Sequence, residues 1–298
     1  MSGIDDRKER KRREGRRVKS ENTSPALEEK ETSMEMSWND LISAWRNLIF
    51  KDMYESRGRL KEESVDVVLL FSGGRDSTIA TLKMIERGYS VLLITFNNGL
   101  MQLWDRVLFQ LHWRYREIKE ALRERGLERY LIGWYATSCT TAFHNICQRT
   151  FIEDCAKYGT PIIWCMGCKM AMLAEAAALC KAYDIEMLAD GSNSGEGGRF
   201  VDKKGFNDIL RRLLREEFQV NYITPVYGEM FLRTKLEAAK ELLKYNIFSK
   251  ALEPFCSYRP PTKIEEGVES SVKEYIENKW NVMREYIRKR VKEILETL

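Results

Sequence analysis

Val65-Asp-Val-Val-Leu-Leu-Phe71 runs directly into Ser72-Gly-Gly-Arg-Asp-Ser77-Thr78, and this junction decides the fold. A short apolar run rich in Val and Leu reads as a buried strand, and the pattern after Asp76 is helical. Two adjacent glycines between them let the backbone approach an anion closely. The hydroxyls of Ser72 and Ser77 and the helix N-terminus add donors and a positive dipole, so the turn reads as a phosphate-binding loop.

Working outward, short β-rich runs alternate with helical segments. Strand 65–71 is followed by a helix over 76–87, a strand Val91–Phe96 and a long helix from Trp104 to Arg125. Next come a strand Tyr130–Tyr135, helices near 143–157 and 168–183, and strands at Ile185–Ala189 and Val220–Thr224. Alternation of this kind implies an α/β fold, a doubly wound parallel sheet with helices on both faces and ligands at the carboxyl ends of its strands.

The flanks divide the chain further. Residues 1–35 are polar and low in aromatics and read as a disordered basic tail. Residues 1–20 hold nine Lys or Arg against four Asp or Glu, so the formal net charge of +4 resides in this tail and the remainder sums to −1. Such an arm suits phosphate contacts with RNA or simple solvation equally. Residues 36–64 read as an N-terminal helical extension, with a capping box from Ser37 to Asp40 and apolar residues at helical spacing over 38–56. The central domain is placed at 65–263, ending with a helix at 234–245, Pro254-Phe-Cys256 and the Pro260-Pro261 stop. Over 264–298 a stripe of Val268, Val272, Ile276, Met283, Ile287, Val291, Ile294 and Leu298 marks a final helix suited to core packing or a homodimer contact. No apolar stretch looks long enough to span a bilayer and no secretory signal is evident, so a cytoplasmic protein is expected.

Seven cysteines, an odd number, argue against a disulfide framework and for metal or catalytic use of some of them. Cys165-Met-Gly-Cys168 precedes the helix assigned to 168–183, which places both sulfurs near a helix N-terminus, and Cys256 stands in a Pro-flanked loop. Cys139, Cys147, Cys155 and Cys180 lack such a context and read as core. From the residues alone, iron–sulfur, Zn2+ and metal-free catalytic cysteines all stay open.

The chain has no G-x-x-x-x-G-K-[ST], and Gly195-Glu-Gly-Gly198 lacks the G-x-G-x-x-G spacing. Ser72-Gly73-Gly74-Arg75-Asp76-Ser77, by contrast, resembles the SGGxDS loop of the PP-loop ATP pyrophosphatase superfamily. Thr95-Phe96-Asn97-Asn98-Gly99 lies where these enzymes contact adenine and ribose, and Asp190-Gly191-Ser192-Asn193 resembles their second nucleotide-site motif. The resemblance implies a HUP-like fold, ATP with its pyrophosphate in the loop, Asp76 organising Mg2+, and adenylation of a carbonyl oxygen. The C-x-x-C with one late cysteine is similar to the iron–sulfur-dependent branch that makes 2-thiocytidine in tRNA. That likeness implies a [4Fe-4S] cluster on Cys165, Cys168 and Cys256, sulfur transfer from a donor the sequence does not name, and tRNA as partner. Lys169, Arg233 and Lys235 are then candidate anion contacts.

Two departures bear on the substrate: Asp190-Gly-Ser-Asn193 replaces the histidine-rich motif of the thiocytidine enzymes, and the sequence after Cys256 differs from theirs. The competing enzymatic readings are a PP-loop amidotransferase using ammonia and sulfur insertion into a small cofactor. A non-enzymatic reading is an RNA-binding module with a structural metal, which leaves the phosphate loop without a purpose.

Overall fold

The computed structural model describes residues 37–101, 103–192, 200–226, 235–248 and 267–298. The basic tail, Asn193, Gly195–Gly198, Arg233, Cys256 and the three late prolines therefore lie outside the described residues.

In chain order the elements are α1 (Trp38–Glu62), β1 (Val67–Leu70), α2 (Arg75–Glu86), β2 (Val91–Asn97), α3 (Trp104–Arg123), β3 (Leu131–Ser138), α4 (Thr140–Ile146) and α5 (Phe151–Tyr158). They continue with α6 (Ile163–Ala182), β4 (Met187–Asp190), α7 (Lys204–Phe218), β5 (Asn221–Ile223), α8 (Lys235–Leu243) and α9 (Val268–Leu295). The five strands form one sheet in the order β3-β2-β1-β4-β5, every neighbouring pair parallel. β1 is central. Its Val67 and Leu69 enter one apolar cluster with α2 and α3, while Val68 enters the other with α4, α6, α7 and α9. A strand buried on both faces has no polar side to show, which is why its sequence is uniformly apolar.

The chain leaves β1 for β2 and β3 on one side, then crosses to β4 and β5 on the other. The carboxyl edge beside β1 and β4 is thus the switch point, where open parallel sheets bind ligands in a crevice.

α1 covers the edge strand β3. Ser56 Oγ accepts the Trp134 N–H at 2.9 Å and donates to the Asp52 carbonyl at 2.7 Å, and Arg59 donates to the Leu131 carbonyl at 3.1 Å. Backbone groups that would template pairing with another chain are satisfied in this way. The approach depends on Gly133, where an added Cβ would sit 2.2 Å from Ser56 Oγ. The Ser37–Asp40 capping box forms as expected, and the helix runs six residues past 56.

Several expectations need correction. The single helix over 143–157 is two, α4 and α5, separated by a 3-10 turn at Gln148–Thr150. Thr150 Oγ1 donates to Asp154, and Lys279 of α9 reaches both, which anchors the broken segment. α6 begins at Ile163 instead of 168, because Thr160 and Pro161 open it: Thr160 Oγ1 accepts the Ile162 N–H at 3.3 Å, and the Pro161 carbonyl, just before the N-cap Ile162, accepts the Trp164 N–H at 3.1 Å. Cys165 and Cys168 are therefore inside the helix, in its first and second turns. α7, between β4 and β5, answers to no expected element.

α6 is buried on nearly all sides, between the sheet and α9. By length and composition this helix could cross a membrane, contrary to expectation, but 72% of its most apolar window is buried inside the fold. The predicted α9 stripe does that covering: Val272, Ile276, Met283 and Ile287 are fully buried, whereas Leu298 is exposed.

Candidate active site at the carboxyl edge of the sheet

At the end of β1 the chain turns sharply. Ser72 is exposed, and its Oγ accepts the Gly74 N–H at 3.3 Å and faces Ser77 Oγ at 3.2 Å. Gly73 has φ +69°, a left-handed conformation that favours glycine, and a Cβ there would meet Leu111 Cδ2 of α3 at 2.9 Å. Gly74 is the N-cap of α2, with no side chain capping that end. The first N–H groups of α2 lack intrahelical acceptors and, with the helix dipole, make this turn suited to an anion. Ser77 Oγ and Thr78 Oγ1 both donate to the Gly74 carbonyl, at 3.1 and 2.8 Å, which fixes the turn from below. Arg75 and Asp76 pair at 3.0 Å and stay partly exposed at the rim.

The loop after β4 lies against this turn. A Cβ on Gly191 would sit 2.5 Å from the Ser77 amide nitrogen and 2.7 Å from its Cα, so this residue is a packing glycine. Asp190 is buried: it accepts the Ser192 N–H at 2.9 Å and the Tyr222 hydroxyl at 2.6 Å. Lys169 of α6 enters the same cluster, donating to Ser192 Oγ at 2.8 Å, Asn207 Oδ1 at 2.8 Å and Asp202 Oδ1 at 3.1 Å, with Asp190 Oδ2 at 3.6 Å. Burial alone would lower the Lys169 pKa, but Asp190 and Asp202 hold it above the usual value. Burial, then the Asp190 carboxylate, pushes Tyr222 well up. Lys169 is therefore not the exposed anion contact expected: it is 5% exposed and surrounded by protein oxygens. The backbone of Lys235 begins α8, on the side of the sheet that carries α2.

At the end of β2, Thr95 is buried, donating to the Phe71 carbonyl at 2.5 Å and accepting from Trp134 Nε1 at 3.0 Å. Phe96 lies in the core, and the Asn97 side chain accepts the Gly99 N–H at 2.8 Å. The next residue carries a contact the sequence did not announce: Asn98, buried, donates its amide to Cys168 Sγ at 3.2 Å while its Oδ1 accepts the Leu100 N–H at 3.0 Å. Cys168 is thereby held at the carboxyl end of β2, the strand next to the phosphate loop.

Cys165 and Cys168 are half-buried at i and i+3, on one face of α6. Gly167 between them lets Cys147 Sγ and Tyr275 Oη approach, at 2.7 and 2.8 Å from an added Cβ. Cys139, Cys147 and Cys180 are core thiols, as expected; burial raises all three, Cys147 to about 12, far from nucleophilic use. Among the described residues no group of three His, Cys, Asp or Glu could hold a metal ion.

Two more residues escaped the sequence reading. Asn207 belongs to the overlooked α7. Arg114 lies on the apolar face of α3 with Val107, Leu111 and Ile118, is fully buried, and donates through Nε to the Gly73 carbonyl at 3.4 Å. A lone guanidinium on an apolar stripe was its available signal.

Residues 63–198 match the family model described as "ThiI: Thiamine biosynthesis protein (ThiI)", which spans less than half of the chain. No curated protein matches significantly. A solved structure described as a predicted subunit of tRNA methyltransferase from Methanocaldococcus jannaschii aligns at 17% identity over 72% of this chain and 88% of that one, with a TM-score of 0.38. The SGGxDS turn, its position after the central strand of a 3-2-1-4-5 parallel sheet and the family match over that region make residues 63–198 similar to the PP-loop superfamily.

Proposed function

We propose that this protein is an ATP-dependent sulfur transferase acting on tRNA. The observation that carries the reading is one of juxtaposition: the phosphate loop ends β1, and Cys168 is tethered by Asn98 to the end of the adjacent strand β2. An anion site and a sulfur therefore face one crevice. Ser72, Gly73, Gly74 and Ser77 bind the ATP phosphates, and Asp76 at the rim, with Arg75, organises Mg2+ and the departing pyrophosphate. The adenine and ribose lie along residues 95–97, met by backbone because the side chains of Thr95 and Phe96 are committed inside the sheet. On the other wall Asp190, Gly191 and Asn193 shape the crevice, Asp190 through its loop.

In the first step a carbonyl oxygen of the target base attacks the α-phosphorus, and the bond to the pyrophosphate oxygen breaks. Adenylation turns a poor leaving oxygen into a good one. Sulfur then attacks the activated carbon and AMP departs with the former carbonyl oxygen. Cys165 and Cys168, sharing a helix face, fit two positions of a thiolate ligand set, and Cys256 would complete a [4Fe-4S] site of three cysteines. Such a cluster, when bound, supplies the sulfur-delivering centre; Zn2+ on the same thiolates would be structural.

The match to a thiamine biosynthesis family favours a second reading, sulfur delivery toward a small sulfur-containing cofactor of the thiamine type. One experiment separates the two. Pyrophosphate release from ATP is measured with and without bulk tRNA, with tRNA nucleosides analysed for sulfur. Release stimulated by tRNA and abolished in Asp76→Ala is expected. Release indifferent to tRNA favours the small-molecule acceptor, and none under any condition overturns adenylation.

A further inference from the structure

The phosphate loop contains two consecutive glycines, and the same freedom that lets it wrap an anion also lets the peptide between them turn over. In a trans peptide the carbonyl and the N–H point in opposite directions. The orientation of the Gly73–Gly74 unit therefore decides whether the crevice meets a donor or an acceptor. In this structure the Gly73 carbonyl points inward, to Arg114 Nε at 3.4 Å, and the Gly74 N–H points toward exposed Ser72 Oγ at 3.3 Å. Leu111, one turn before Arg114 on the same face of α3, closes the space above Gly73. Glu117 pairs with Arg114 Nη1 at 3.0 Å and fixes the guanidinium from its far side.

We infer that Arg114 is a positioning residue for the phosphate loop: by holding the Gly73 carbonyl inside the protein, it keeps the Gly74 N–H turned to the anion. Arg114 touches no phosphate itself. This inference rests on the ATP reading and adds to it the residue that sets the polarity of the site.

The test compares wild type, Arg114→Met and Arg114→Lys for binding of inorganic pyrophosphate and of adenosine, with thermal melting as the fold check. Arg114→Met fills the volume without a donor or charge. The expected result is pyrophosphate affinity weakened about tenfold or more with adenosine affinity unchanged, and partial recovery of pyrophosphate in Arg114→Lys. Unchanged pyrophosphate affinity in folded Arg114→Met overturns the inference, as does an equal loss for both ligands, which marks a merely structural role. If Arg114→Met does not fold, Arg114→Lys is judged by the same ratio, an intermediate loss confined to pyrophosphate supporting the inference and any other result overturning it. Failure of the wild type to bind pyrophosphate overturns the ATP reading itself, and this inference with it.

Discussion

The loops after β1 and β4 begin alike and end differently. Both follow parallel strands at the switch point, both pair a glycine with serines and an aspartate, and both read as nucleotide contacts from sequence. After β1, Ser72 is exposed and no side chain caps α2, while Ser77 is turned down onto the Gly74 carbonyl. After β4, the same residue types are turned inward to Lys169, Asn207 and Tyr222. One loop presents polar groups and the other consumes them. A motif's composition therefore does not reveal its use; what matters is whether its polar side chains are buried with their partners inside the protein, as those of Asp190 and Ser192 are and that of Ser72 is not.

Breaking the inward loop has the largest effect. Lys169→Met leaves buried Asp190 and half-buried Asp202 without their cation, a loss of about 3–5 kcal/mol, and a fall in Tm of about 10 °C is expected by calorimetry. Gly191→Ala probes the seam between the loops: its new methyl meets the Ser77 backbone, so a stability loss of about 1–3 kcal/mol together with weakened ATP binding is expected, read by melting and titration on one sample. Ser72→Ala, on the open loop, should weaken ATP binding about tenfold while lowering stability by less than ~1 kcal/mol, because its hydroxyl is exposed in the free protein. A large loss of stability in Ser72→Ala, or a small one in Lys169→Met, would dissolve the contrast.

The inward loop also carries a pH response. The folded pKa of Lys169 lies above its unfolded value, so the unfolded chain releases this proton first as pH rises. Its stabilisation is complete below about pH 10.4 and is lost above that, as pH climbs through the folded pKa. Urea midpoints followed from pH 8 to 11 should fall more steeply in wild type than in Lys169→Met.

How much of this was legible follows from how local each feature is. The strand, the glycine pair and the helix start of the phosphate loop are contiguous, and short-range rules recover them. The start of α6 was legible in Thr160-Pro161, but the C-x-x-C reading drew the helix boundary to the cysteines. α7 is spelled by Phe206, Leu210, Leu214 and Phe218 at i+4 spacing, yet attention to strand punctuation passes over it. The Lys169 cluster was not legible in any such way, since its partners come from residues 190 to 222 and meet only when β4, β5 and α7 are in place. Asn98 and Arg114 show the same limit: each acts on a group dozens of residues away, across the sheet edge.

The burial of α6 has a consequence for synthesis. Its apolar surface is covered in large part by α9, whose first residue is encoded more than eighty codons after the end of α6. At ~10 residues per second, the growing chain displays a helix of membrane-like composition for on the order of ten seconds before its cover emerges. During that interval the nascent protein is a natural client for factors that recognise exposed apolar helices, and slowing translation between codons 182 and 268 would lengthen its exposure.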